Sequence, residues 1–273
     1  MSSLVIAAKQ DESRSKHLEP SNWLIHTDKL FPIEIWIDLS NIDISLRLCR
    51  HFHTDYGALV DVVAGRFTER LGIRFVCAPF RAERVAEVTG EPMAFCKNVW
   101  GVASVPVNYH PEDESRVRGY RRFLTALRLR HGFNVEEIPL DFCGYHFRQK
   151  DRLASRIRAE RRWRRRERCV DVALATGLLK RCMSSDAPAG VMLWSGDADL
   201  SFALREIAQS RPHIQLMVAG FADTLSNVYW SGRLLGYSWR FPPILLDDCL
   251  RDMHSKREDH PVEPSYSTIA AAV

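Results

Sequence analysis

The chain has 273 residues, 46% of them apolar and 26% charged, with a formal net charge of +4. Such values belong to an ordinary globular protein with chain enough for a real core, as one large domain or two small ones. No apolar run approaches the roughly 20 residues that span a bilayer, and the Leu4–Ala8 patch is too short for a signal-peptide core, so no membrane partner is expected. Seven cysteines, an odd number with no CxxC pair, argue against a zinc finger and for a reducing compartment, so a cytoplasmic location is expected.

The charge is unevenly spread. Residues Arg148 to Arg168 hold eleven Lys/Arg and three acids, a local net of +8, which leaves the rest of the chain at −4. That is a polyanion-binding pattern on an otherwise acidic body.

Residues 1–30 read as a polar arm with one anchored segment near Trp23–Ile25. Ile33–Ile37 is the first strand, and it ends in Asp38-Leu39-Ser40-Asn41. A helix from Ile42 to about Phe52 follows, then a second over about 58–71 that Gly72 closes. Ile73–Cys77 reads as the second strand and Arg81–Gly90 as a helix. The stretch to Asn108 is ambiguous, and Val102–Val107 fits a strand or an extended loop. His110–Asp113 reads as a loop, 115–130 as a helix and Phe133–Leu140 as a strand.

The basic segment 148–168 is polar all round, as in a helix that is solvated or engaged with a partner. Cys169–Cys182 restores an apolar helical stripe, with Asp171 in its first turn. Val191–Trp194 is a buried strand. It turns through Ser195-Gly196 into Asp197 and Asp199, and a helix then runs to about Gln209. His213–Val218 is the next strand. Thr224–Trp230 is a short helix, Tyr237–Phe241 a small strand, and Asp248–Met253 a last short helix. Residues 251–273 are expected to form a flexible tail.

Strands alternating with helices imply a mainly parallel sheet, hence one three-layer α/β domain over 31–250. Ligands of such sheets bind outside the carboxyl ends of the strands. Asp38, Asp197 and Asp199 should therefore converge there. Asp197 and Asp199 also suit simpler duties, Asp199 as a helix cap and Asp197 as a holder of the turn. Close carboxylates repel unless protonated or neutralised, and oxygen-only donors favour Mg²⁺ or Mn²⁺. Cys49, His51 and His53 do not share a helical face as a metal set would. No Ser-His-Asp set and no GxxxxGK loop is present.

Three ordered motifs carry a resemblance: Ile37-Asp38-Leu39-Ser40-Asn41, Val170-Asp171-Val172-Ala173-Leu174-Ala175 and Ser195-Gly196-Asp197-Ala198-Asp199-Leu200. Together they resemble the NYN domain of LabA-like proteins, a branch of the PIN-like nuclease superfamily. The resemblance implies a PIN-like α/β/α fold and a divalent-metal (endo)ribonuclease leaving 5′-phosphate and 3′-hydroxyl ends, with endonuclease and exonuclease modes both left open. It implies Asp38, Asp171, Asp197 and Asp199 as the catalytic and metal-binding set, with Asn41 beside Asp38 and Ser195 supporting the turn or bonding a phosphate.

The chain departs from that pattern at two places. Arg168-Cys169 replace a frequent Lys-Gly, and Gly177 stands where relatives often carry another Asp. Loss of that carboxylate would leave an RNA-binding regulatory module of weak catalysis as the alternative function. Arg161, Arg162, Trp163, Arg164, Arg165 and Arg168 of the basic segment, with Tyr145 and Phe147 just before it, suit phosphates and stacked bases. Arg116, Arg118, Arg121 and Arg122 either extend that surface or form a solvated helix face. Haloacid-dehalogenase-like and Toprim readings fit less well, because Ser40 replaces the second Asp of the former and Asp38 the Glu of the latter. A homo-oligomer and a regulatory protein partner are left open.

Overall fold

The computed structural model describes residues 29–48, 54–142, 169–230, 233–234, 237–238 and 242–259. The basic segment and its neighbours, with Tyr145, Phe147, Arg161, Arg162, Trp163, Arg164, Arg165 and Arg168, lie outside them, as do Cys49, His51 and His53.

In chain order the elements are β1 (Leu30–Asp38), α1 (Leu39–Leu48), α2 (Tyr56–Arg70), β2 (Arg74–Phe75), α3 (Pro79–Thr89), β3 (Met93–Val107), α4 (Glu114–His131) and β4 (Asn134–Asp141). They continue with α5 (Val170–Met183), β5 (Gly190–Trp194), α6 (Ser201–Ser210), β6 (Gln215–Gly220), α7 (Asn227–Trp230), β7 (Arg233–Leu234), β8 (Tyr237–Ser238), β9 (Ile244–Leu245) and α8 (Leu246–Asp259). The main sheet runs β2-β3-β1-β5-β6-β9, with β4 on the same edge of β3 as β2. Every pairing in it is parallel. Numbered without the two-residue β2, the order is 3-2-1-4-5-6, the doubly wound arrangement, and the build direction reverses between β1 and β5.

Two apolar cores cover the two faces of this sheet, which makes three layers. Ile33, Ile35 and Ile37 of β1 turn to one face, against Leu46, Leu59, Phe67, Leu124 and Leu250 from α1, α2, α4 and α8. Trp36 turns to the other, with Leu174 and Leu178 of α5, Leu204 and Ile207 of α6 and Tyr229 of α7. A strand buried on both faces reads as a continuous apolar run, hence Val-Met-Leu-Trp in β5. Among the described residues, no helix is long and apolar enough to cross a membrane.

Among the described residues the expected elements are present, with shifted ends and four substantive differences. The ambiguous stretch is the longest strand, β3, whose 15 residues include a bulge at Lys97 that a plain alternation rule cannot follow. The second strand shrinks to Arg74–Phe75, held only at the start of β3. The helix after β1 begins at Leu39 rather than Ile42, because the Asp38 side chain caps it directly. The last helix runs on to Asp259, so residues 251–259 are helix and not flexible tail.

One acid is buried inside β1. Glu34 is fully buried on the α5 side of the sheet. The bulge sets Asn98 opposite it, and its carboxylate accepts from Asn98 Nδ2 (2.9 Å), Trp100 Nε1 (3.0 Å) and Arg181 Nε (2.8 Å). Arg181 also pairs with Asp186 at 2.7 Å. Removing one partner of a buried pair strands the other charge. Arg181→Met should therefore cost about 3–5 kcal/mol in urea denaturation at pH 7, and Glu34→Gln added to it should recover much of the loss.

Candidate functional site

The site lies at the carboxyl edge of the sheet between β1 and β5, where the strand order reverses. Asp38 ends β1 on the same face as Glu34 and Trp36, towards α5, and only 4% of it is exposed. Its Oδ1 accepts the Asn41 N–H at 2.9 Å, an N-cap bond for α1. Its Oδ2 accepts from Ser195 Oγ at 3.4 Å, across the sheet from the end of β5. Ser195 Oγ in turn accepts the Asp197 N–H at 3.1 Å. The Gly196 N–H donates to Asn41 Oδ1 at 3.4 Å. Asn41 and Ser195 thus stand where the sequence motifs suggest, one on each side of Asp38.

The acids are not equivalent. Asp197, rather than Asp199, is the cap: its Oδ1 accepts the Asp199 N–H at 2.9 Å and opens a 3₁₀ turn, Ala198–Leu200, ahead of α6. Tyr229 Oη donates to the Asp197 carbonyl at 2.6 Å and fixes this turn. Burial, then the charges of Asp197 and Asp199, push the Tyr229 hydroxyl well up, so it remains a donor. Asp171 lies in the first turn of α5. Asp171 and Asp197 both act on the charge of Asp38, while Asp199 is exposed at the rim. Among the described residues, no three Asp, Glu, His or Cys side chains form a ready-made metal group. The donor chemistry nevertheless suits a hard cation, since Asp38 carries the repulsion of two neighbouring carboxylates.

Glycines make the close approaches. A Cβ on Gly196 would stand 2.2 Å from the Thr224 carbonyl oxygen, so only glycine lets the turn after β6 pass beneath the acids. Ser226 N–H closes this contact on the Gly196 carbonyl at 3.0 Å. Gly177 meets the Trp36 ring, where a Cβ would stand 2.8 Å away. Helix–strand packing therefore fills the place where the resemblance leads one to expect an acid. Cys169 has φ +89°, the left-handed region, so glycine is the natural residue there and cysteine carries backbone strain two residues before Asp171.

One wall of the site was only half legible in the sequence, which offered Val102–Val107 as a strand or an extended loop and Phe133–Leu140 as a strand. Asp38 pairs with Val102, but β3 continues five residues to Val107 with β4 alongside. This ribbon stands roughly 16 Å beyond the end of β1. Glu34, Arg181 and Tyr229, which position the site residues, were missed; the one available signal was the acid inside Ile-Glu-Ile-Trp-Ile. A separate cavity of about 380 Å³ lies between α2 and α8, lined by Asp61, Arg66, Glu69 and Asp252 among others.

No protein-family model matches the sequence, and a search of curated proteins finds no match. The chain is similar to a crystal structure of a protein of unknown function from Vibrio parahaemolyticus, at 15% identity and a TM-score of 0.44, over 82% of this chain and 98% of the other.

Burial above all raises the Asp38 carboxyl from 3.8 to about 6; the Asn41 N–H opposes this, Asp171 adds to it, Ser195 opposes and Asp197 adds. A carboxyl raised on folding makes the folded state bind more protons than the unfolded one, so stability falls as pH rises from about 4 to about 6. At 1.36 kcal/mol for each pH unit between 3.8 and about 6, the full penalty is about 3 kcal/mol. Without divalent metal, Asp38→Asn should stabilise the protein by about 1–3 kcal/mol at pH 7.5 and by almost nothing at pH 4. Equal stabilisation at both pH values in denaturant titrations would contradict the assignment. Gly196→Ala should cost about 1–3 kcal/mol in the same measurement, because backbone, not a flexible side chain, must move.

Proposed function

We propose that the chain is a Mg²⁺- or Mn²⁺-dependent ribonuclease of the NYN, PIN-like kind, hydrolysing RNA phosphodiester bonds at Asp38, Asp171 and Asp197, with Asp199 at the rim. The observation that carries this reading is the buried Asp38 carboxylate at the strand-order reversal, pressed by two further carboxylates. Such a cluster is costly in isolation and is relieved by a cation. When bound, the cation supplies an acidified water and neutralises charge on the phosphodiester.

The chain's own residues do the positioning. Asp38 is held by the Asn41 N–H and the Ser195 hydroxyl, so its oxygens have fixed directions. Asp197 is held by its own turn and by Tyr229. The N-termini of α1 and α5 direct their positive ends to this edge, which favours the carboxylates and an incoming phosphate alike. The chain enters the basic segment from Phe142, at the tip of the wall, and re-emerges at Cys169 beside the acids. Its Arg161, Arg162, Trp163, Arg164, Arg165 and Arg168 are assigned to the RNA strand. The free thiols of Cys77, Cys96, Cys169, Cys182 and Cys249 suit a cytoplasmic setting.

Gly177 favours a second reading, an RNA-binding regulatory module of weak catalysis, because its place is filled by Trp36. Cleavage of a labelled single-stranded RNA in Mn²⁺, Mg²⁺ or EDTA separates the two. The ribonuclease should cut with either cation and not in EDTA, and Asp197→Asn should slow it by about a hundredfold or more. Retention of RNA with no cutting under any cation would select the binding module. Cutting that survives both EDTA and the substitution would place the chemistry elsewhere.

A further inference from the structure

Three exposed apolar side chains lie close in the chain to the acids or to the residue that braces them. Val172 follows Asp171, Phe202 comes three residues after Asp199, and Trp230 follows Tyr229, which holds Asp197. Phe202 is 57% exposed and Trp230 43%. Both belong to the layer that Asp38 faces: α6 continues the 3₁₀ turn of Asp199, and α7 packs on that turn. Scattered apolar residues on a surface need no explanation. Two aromatic rings on the elements that carry and brace one acidic turn do.

Arg205 adds an independent observation. It lies one turn after Phe202, with its guanidinium carbon 5.3 Å from the ring centroid. Its Nε is buried and makes no hydrogen bond, so an anion from outside would meet only the terminal nitrogens of the guanidinium. Among the described residues no carboxylate pairs with it, although Arg66, Arg128 and Arg181 each have a carboxylate partner. An arginine stacked on an exposed ring presents a flat cation to an anion from outside.

We infer that Phe202, Trp230 and Arg205 form a nucleotide subsite beside the acids: the two rings take unpaired bases by stacking, and Arg205 takes a phosphate of the same strand. The inference rests on the ribonuclease reading for the identity of that strand. An apolar peptide would use the rings but leave Arg205 without an anion. A polyanion without bases would use Arg205 but leave the rings in water. A single strand of RNA satisfies both, since every base has a face to stack and every base brings a phosphate.

The test measures binding, apart from cleavage. In an Asp38→Asn parent, the affinity for a fluorescein-labelled single-stranded RNA of about ten nucleotides is followed by anisotropy across a salt series. Phe202→Ala and Trp230→Ala should each weaken binding about tenfold and leave the salt slope unchanged, because stacking releases no counterions. Arg205→Ala should reduce the slope by about one. Phe202→Trp should restore affinity, which separates lost stacking from disturbed folding.

Parental affinity in both alanine variants, or a changed slope on loss of either ring, would overturn the subsite. Wild-type protein that never cuts RNA, while the variants follow the expected pattern, would remove the ribonuclease reading and keep the subsite. Cutting by the wild type, with rings that do not matter to binding, would do the reverse. An Asp38→Asn parent that does not bind RNA at all would overturn the subsite outright.

Discussion

Glu34 is the constraint around which the site is built. A carboxylate at the centre of a doubly wound sheet must be matched donor for donor, and its three donors come from different places. Asn98 and Trp100 belong to β3, and Arg181 belongs to α5. The bond set therefore fixes the central strand, its neighbour and the helix above them at once. It explains the bulge at Lys97, which brings Asn98 opposite Glu34. It also fixes where α5 lies along β1, and so where Asp171 stands relative to Asp38. A hydrophobic side chain at residue 34 would fill the space without choosing a register.

The same face is tightened by contacts that leave no room for error. Gly177 lets Trp36 lie against α5, and Trp36 stacks on Trp100 with ring centroids 5.2 Å apart. Trp100 returns to Glu34 through its indole N–H. The buried pair, the two indoles and Gly177 form one packed and bonded set on the face of β1 that ends in Asp38. Asp38 is buried at the carboxyl end of that face at a cost in stability. A charge whose burial is unfavourable, held by bonds that give it direction, is what supports the proposed chemistry at this edge.

Much of this was legible beforehand. Apolar runs bounded by small polar residues located β1, β5 and β6, and the 3.6-residue stripes located α4 and α5. Alternation of the two implied a parallel sheet, and a parallel sheet puts Asp38 and Asp197 on one edge. The motif Asp38 to Asn41 also fits its contacts, since Asn41 donates its backbone N–H to the capping Asp38 carboxylate and accepts from Gly196 through its side chain. Asp197 took the capping duty expected of Asp199, and Asp199 stays exposed at the rim. Whether a helix opens with an α or a 3₁₀ turn depends on what packs beneath it, here Tyr229 and Thr224, far along the chain.

The sequence by itself determined the class of fold and the edge at which the acids gather. These follow from period, from turn residues and from the direction of parallel strands, all local properties. Tertiary structure alone decided which acid is buried, which caps and which stays at the rim. It alone turned an ambiguous stretch into the 15-residue β3 whose end walls the site, because that strand takes its partners from β1, β2 and β4 together. It alone gave Gly177 and Gly196 their meaning, since a close approach to Trp36 or to Thr224 is a relation between distant segments.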